Sequence, residues 1–237
     1  MIGSQHREAE IASVIGRQPC ARFVDEVTLH HSATKAEQYK GLSTVQKFHH
    51  EHTRRGYSDI GYHYLIGPDG VIFLGRPLAR VGAHVKNANT GKVGVCMIGY
   101  FHPEPSWGFD GDDVTKLQIR STTAVIRALC HKFHLDPIHN FRPGHGFHRD
   151  HGNTACPGSK VTKTIVQRWL YDESAEDDPP EAEVDSAPDV SPWAEAAVEW
   201  CKEQCLMTGL PDGLFHGREP LTREQFAVVL HRMRGDS

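Results

Sequence analysis

Residues 147–158 read FHRDHGNTACPG, which sets two histidines, an aspartate, a threonine and a cysteine between a phenylalanine and a Pro-Gly turn. Three readings fit such a stretch: a metal site, a thiol nucleophile and a plain surface loop. Catalytic zinc is held by three protein ligands drawn from His, Cys and Asp/Glu, with a fourth position left for water. His148 and Cys156, separated by seven residues, can supply two of the three. A structural zinc site would show a fourth His or Cys and a CxxC-like pair, which the chain lacks, so an open site is favoured. The His30-His31 pair, at the end of a strand-like run, is the evident source of the third ligand. Neighbours on a strand point to opposite faces, so only one of the two reaches a given ion, and periodicity does not choose between them. The chain has 17 histidines. His49, His50, His52, His145 and His151 are rivals, each more often a hydrated or hydrogen-bonded side chain than a ligand.

The elements that must position these residues are legible in outline. FVDEVTLHH reads as a strand, and AEQYKGLSTVQKFHHEHTRRG as helical in its second half. IGYHYLI and VIFLGR flank Gly67-Pro68-Asp69-Gly70, a turn between two apolar runs, which predicts a hairpin. KVGVCMIGYF is apolar almost throughout, as a central strand buried on both faces should be. Thr115 and Gln118 have the spacing of a capping box, and Val125, Ile126, Leu129, Cys130 and Phe133 follow at helical spacing. The expected fold is α/β (α+β), a central mixed β-sheet flanked by helices, with a small helical C-terminal unit.

Charge divides the chain. Residues 1–171 carry 21 Lys plus Arg against 14 Asp plus Glu, residues 172–189 carry nine acids and no base, and residues 190–237 carry five bases against seven acids. The acidic stretch holds three prolines and little to bury, so it reads as an extended linker between domains 1–171 and 190–237. A basic domain favours polyanionic partners, among them bacterial wall polymers. The N-terminus has no apolar run of signal-peptide length and no later stretch approaches a membrane span. The expectation is a protein made in the cytoplasm, with neither membrane nor nucleic acid as partner. Six cysteines lie far apart or within apolar runs, as buried free thiols do; no disulfide framework is expected, and Cys96, Cys130, Cys201 and Cys205 read as buried thiols.

LHHSAT at 29–34, RGYSDIGYHYLIGPDG at 55–70, GAHVKNANTGKVGVCMIG at 82–99, and HRD with TACPG at 148–158 together resemble the zinc-dependent N-acetylmuramoyl-L-alanine amidases. That superfamily is shared by phage amidase lysozymes and animal peptidoglycan recognition proteins. The resemblance covers about residues 20–171 and rests on four motifs in order. It implies one zinc ion on His30, His148 and Cys156, and a catalytic tyrosine at Tyr62. Thr154 falls where relatives carry lysine or threonine. His84 and Asn89 fall on a loop that in relatives borders the substrate groove, and Asp150 either orients a ligand histidine or caps a turn. The implied reaction is hydrolysis of the lactyl amide between N-acetylmuramic acid and L-alanine in peptidoglycan.

Residues 190–234 read as a helix, a loop and a second helix, with Ser191-Pro192 as a start and Thr222 with Gln225 as a capping box. They resemble one S-layer homology repeat through Trp193, MTGLPDGLF and LTREQ. The resemblance implies that Arg223 grips anionic secondary wall polysaccharide. Glu224 stands where alanine is usual, and one repeat is present where three usually pack together, so either three chains associate through this unit or it docks on its own catalytic domain. The expected whole is a wall-lytic endolysin, held in the host cytoplasm until lysis if phage-encoded. Two other classes compete: a recognition protein that binds peptidoglycan without cutting it, and a cysteine hydrolase using Cys156.

Overall fold

The computed structural model describes residues 3–171 and 198–201. The chain divides into two compact units, Met1–Asp178 and Pro179–Ser237. Within the first, the elements run β1 (Gln5–His6), α1 (Glu8–Arg17), β2 (Val24–His31), α2 (Leu42–Arg54), β3 (Tyr64–Ile66), β4 (Ile72–Leu74), β5 (Gly91–Met97), α3 (Lys116–Phe133), α4 (Pro137–Asn140) and α5 (Lys163–Tyr171), with a single 3-10 turn at His148–Asp150 in the segment between α4 and α5. In the second, residues 198–201 are helical. The remainder of the expected C-terminal unit, including Trp193, Cys205 and Arg223, and the expected linker lie outside the described residues.

The five strands form one mixed sheet in the order β1-β4-β3-β5-β2. β1, β4 and β3 pair antiparallel, whereas β5 runs parallel to β3 and β2. The expected hairpin forms with Ile66 opposite Ile72. Gly70 adopts φ 74°, and the Asp69 carboxylate accepts from Val71 N–H and the Tyr39 hydroxyl, so the turn is held from both sides. β5 is central, as its composition predicts. On one face Val93, Val95 and Met97 pack with Ile11 and Ile15 of α1 and with Val125, Ile126 and Leu129 of α3. On the other, Cys96 packs with Leu65, Phe73 and Val45 and Phe48 of α2.

The capping box at the start of α3 forms only in half. Thr115 Oγ1 accepts from Gln118 N–H, but the Gln118 side chain turns inward and donates to the carbonyls of Ile66 and Ile98. Two buried carbonyls at strand ends are the stronger claim on an amide, because stranding them would cost more than leaving a helix N-terminus to water. All five described cysteines are free.

β2 is the edge strand that carries the His30-His31 pair, and its outer edge is closed without a further strand. Val27 N–H donates to Asn140 Oδ1 (2.9 Å), and Asn140 Nδ2 returns a bond to Val27 O (2.8 Å). Leu29 N–H donates to Gly146 O (2.8 Å), and Phe147 forms a lone parallel bridge with Leu29. Glu26, fully buried, fastens the same segment from beneath: its Oε1 accepts from Gly146 N–H (3.2 Å) and His151 Nε2 (2.8 Å), and its Oε2 lies at ion-pair distance from His145 Nε2 (3.2 Å). Thr28 and Lys92 complete its shell at 2.8 and 3.2 Å. Lys163 clamps the segment from α5 through the Arg142 and His145 carbonyls and the Asp150 carboxylate.

Burial raises the Glu26 pKa, but the hydrogen bonds from His151 and Thr28 and the charges of Lys92 and His145 outweigh it and hold the carboxyl below the ordinary 4.5. A depressed carboxylate stabilises the fold fully above the unfolded pKa, and that stabilisation disappears as pH falls through the folded pKa. Glu26→Gln is expected to lower stability at neutral pH by about 3 kcal/mol, the usual consequence of removing one partner from a buried ionic cluster. Its acid limb below about pH 4.5 should be flatter than that of the natural chain, and urea unfolding across that range measures both effects.

Candidate metal centre

His30, His148 and Cys156 converge. Each offers one donor atom and the three atoms lie within 4.8 Å of one another; among the described residues this is the one such group of His, Cys, Asp or Glu. The His30 and His148 rings stand 4.7 Å apart, and His30 Nδ1 is 3.7 Å from Cys156 Sγ. Tetrahedral zinc with ordinary Zn–N and Zn–S bonds places an N and an S donor about 3.6 Å apart, so the spacing and the donor types both fit that ion. Burial, then the neighbouring imidazoles, pushes the His30 pKa well below 6.5, and burial lowers that of His148. Both rings are thereby kept neutral, the form that ligates.

The strand decides between the paired histidines. His30 lies beside Cys96 in the β2–β5 register, on the face shared with α2. His31 points the other way, where its ring meets Tyr100 and Phe101 and its Nδ1 accepts from Phe101 N–H. The His31 backbone N–H still contributes, donating to Cys156 Sγ at 3.3 Å. Burial raises the Cys156 thiol to about 12, with that N–H and Arg149 opposing the rise. Arg149 also organises the loop: its backbone N–H donates to Cys156 O, and its guanidinium donates to the carbonyls of Gly158 and Val161. Thr154 Oγ1 accepts from Cys156 N–H (3.2 Å), which fixes the hydroxyl against the Cys156 backbone.

The Tyr62 ring lies 5.2 Å from that of His30. Arg76 holds the approach to it, donating to the carbonyls of Ile60, Asp59 and Val81 while its backbone N–H bonds Tyr62 O. Burial, then the nearby Cys96 and Cys156 thiols, raises the Tyr62 phenol well above 10, so it is a hydrogen-bond donor rather than a base.

His84 and Asn89, on the loop that the resemblance places beside the substrate groove, both make contacts within the protein. His84 is 7% exposed and its Nδ1 lies 2.9 Å from His30 Nε2. Asn89 Oδ1 accepts from the backbone N–H groups of both His84 and Val85 (2.8 Å each), so this side chain holds the loop. Asp150 takes the second of its two readings: it accepts from Phe147 N–H and from Lys163, and so caps the turn that carries His148. His145 and His151 are engaged with Glu26, His49 pairs with Asp59, and His52 Nδ1 accepts from Gly61 N–H.

The supports under the cluster were not singled out from the sequence. Glu26 carried a signal nonetheless, since it lies two and four residues before Thr28 and His30 and therefore shares their face of a buried strand. Arg76, Arg149 and Lys163 act through backbone carbonyls, which no side-chain motif reveals.

The profile of the N-acetylmuramoyl-L-alanine amidase family matches residues 21–159, and that of the S-layer homology domain matches residues 187–227. The endolysin of Enterobacteria phage K11 is 42% identical over 154 residues, covering 65% of this chain and 87% of that protein. The endolysin of Enterobacteria phage T3 is 30% identical over 145 residues, covering 61% and 84%. Among solved structures, the amidase endolysin LysCS from Clostridium intestinale superposes with a TM-score of 0.50 and 28% identity, covering 63% of this chain and 84% of that one. The family match spans more than half of the chain and takes in Tyr62, Thr154 and the whole His30, His148 and Cys156 cluster, so this chain belongs to the N-acetylmuramoyl-L-alanine amidase family and is a peptidoglycan hydrolase of that class.

Proposed function

We propose that the chain is an endolysin that hydrolyses the lactyl amide joining N-acetylmuramic acid to L-alanine, with a single zinc ion on His30, His148 and Cys156, and that its C-terminal unit binds anionic wall polysaccharide. The observation that carries the catalytic part is the convergence of those three donors beside Tyr62. An amide is a poor electrophile, and its hydrolysis needs a strong nucleophile and stabilisation of the oxyanion. Bound zinc supplies Lewis acidity, which polarises the carbonyl and makes water acidic enough to ionise near neutral pH. Two neutral imidazoles and one thiolate leave such a centre with net positive charge, which favours both effects.

Tyr62 keeps its proton at neutral pH and offers the hydrogen on Oη to the developing oxyanion. The Thr154 hydroxyl, fixed beside Cys156, donates to the same oxygen as a neutral group, weaker than the ammonium that relatives with lysine place there. A Cys156 nucleophile is the rival with a specific observation behind it, because His30 Nδ1 lies 3.7 Å from Sγ. Such a dyad works as thiolate and imidazolium, whereas burial here raises the thiol and lowers the imidazole, disfavouring both charged forms. A purely binding role is disfavoured by the complete ligand set.

Digestion of purified peptidoglycan by native, chelator-treated and zinc-restored enzyme is expected to release free L-alanine amino termini only when zinc is present. New reducing sugars would indicate a glycosidase, and activity indifferent to chelation would remove the metal from the reaction. Cys156→Ser should lose zinc and more than about 100-fold in activity, beyond the usual penalty for losing an outer partner of a ligand. Tyr62→Phe should keep one zinc per chain by elemental analysis while kcat falls about 100- to 1000-fold, the range for one oxyanion donor.

The C-terminal unit, with Trp193 and Arg223 as its wall-polymer contacts, is about 45 residues long, too short to bury a stable core alone. Association of three chains through this unit would complete the shared core. Light scattering during size exclusion should then give a larger assembly for the full chain than for one ending at Tyr171, and monomers in both cases would refute it.

A further inference from the structure

His30 presents its two ring nitrogens to different surroundings. Nδ1 faces Cys156 Sγ, while Nε2 lies 2.9 Å from His84 Nδ1. A neutral imidazole carries one N–H, so once the Nδ1 lone pair is committed to a cation the proton must sit on Nε2 and needs an acceptor. His84 Nδ1 is the acceptor within reach, and it can accept only when the His84 proton is on its own Nε2, a buried nitrogen with no hydrogen-bond partner among the described residues.

The fold makes room for that ring at two separate points. A Cβ on Gly94 of β5 would come within 2.6 Å of His84 Cδ2, and a Cβ on Gly82 within 2.4 Å of the same atom. Only glycine at both positions leaves a slot of imidazole thickness between strand and loop. The ring in the slot is oriented by its neighbours: it meets His30 edge-on at 87° and 4.9 Å, and His63 at 77° and 5.8 Å. His63 is itself fixed, accepting from Gly94 N–H and donating to Arg80 O. The His84 backbone is held by Asn89, and Ala83 N–H bonds Gly61 O.

Resting on the zinc-amidase reading above, we propose that His84 is a positioning residue, the buried neutral acceptor that holds metal-bound His30 in its Nε2–H tautomer with Nδ1 aimed at the ion. Ligating histidines ordinarily donate their second N–H to a carboxylate, a carbonyl or water. An imidazole in that place orients the ligand without adding negative charge, so the centre keeps the positive charge on which its Lewis acidity depends.

The test compares His84→Leu, which removes the acceptor, with His84→Asn, which restores one near the Nδ1 position. Zinc affinity is measured by chelator competition on refolded, metal-free protein, with thermal unfolding of the same samples reporting on the fold. His84→Leu is expected to weaken zinc binding about 10- to 100-fold, and His84→Asn to recover most of that loss. A second measurement does not depend on either variant folding: ring 15N shifts of the zinc-loaded natural chain should show the His84 proton on Nε2. Unchanged zinc affinity in His84→Leu, or a His84 proton on Nδ1 in the loaded chain, overturns the role. A natural chain that takes up no zinc overturns the metal centre and this role with it, so the two failures are distinguishable.

Discussion

The centre depends on how the free edge of β2 is closed. An edge strand presents a row of unpaired N–H and C=O groups, and proteins cover such edges or pair them. Here the cover is an irregular segment from far along the chain, in which Asn140 and Gly146 satisfy the groups of Val27 and Leu29 one by one. The entropy of closing the intervening loop grows only slowly with its length, whereas each buried backbone group left unpaired costs of order 1–3 kcal/mol. The segment is therefore held in register against β2, and the next residues after Phe147 bring His148 to His30.

Glu26 serves that same closure. A lone buried carboxylate would be strongly unfavourable, yet this one has donors from the loop on one side and Lys92 and Thr28 on the other. Removing any partner leaves charge unmatched in a place water does not reach, and this makes the cluster restrictive rather than merely stabilising. His145 and His151 are absorbed by it, which explains why two of the histidines nearest in sequence to His148 do not join the donor cluster.

The donor cluster itself carries no negative side chain other than the thiol it can ionise. No carboxylate belongs to the three-residue group, its histidines are kept neutral by burial, and Tyr62 stays protonated. Such surroundings are unfavourable for a thiolate–imidazolium pair and suited to a divalent cation, which if held there would displace the Cys156 proton and offset the desolvation of the thiolate.

The strand that ends at His30-His31, the hairpin at Gly67–Gly70, the central burial of β5 and the apolar stripe of α3 were written in local pattern, because alternation, turn chemistry and helical spacing each act over a few residues; the order of the strands was not. His148 and Cys156 were legible too, by type and spacing, as members of the three-donor cluster. Local pattern could not choose between His30 and His31: that choice belongs to the face on which β2 meets β5, set by burial of Val27 and Leu29 against α3 and α1. Nor could it place Gln118, whose amide goes to two strand-end carbonyls rather than to its helix cap, or His84, whose motif suggested a groove and whose slot exists only when Gly82 and Gly94 come together. For Gln118 and His84 the deciding partner is a backbone group or a void contributed by a distant segment, and for His30 it is apolar packing from distant helices; none of these leaves a mark on residue type nearby.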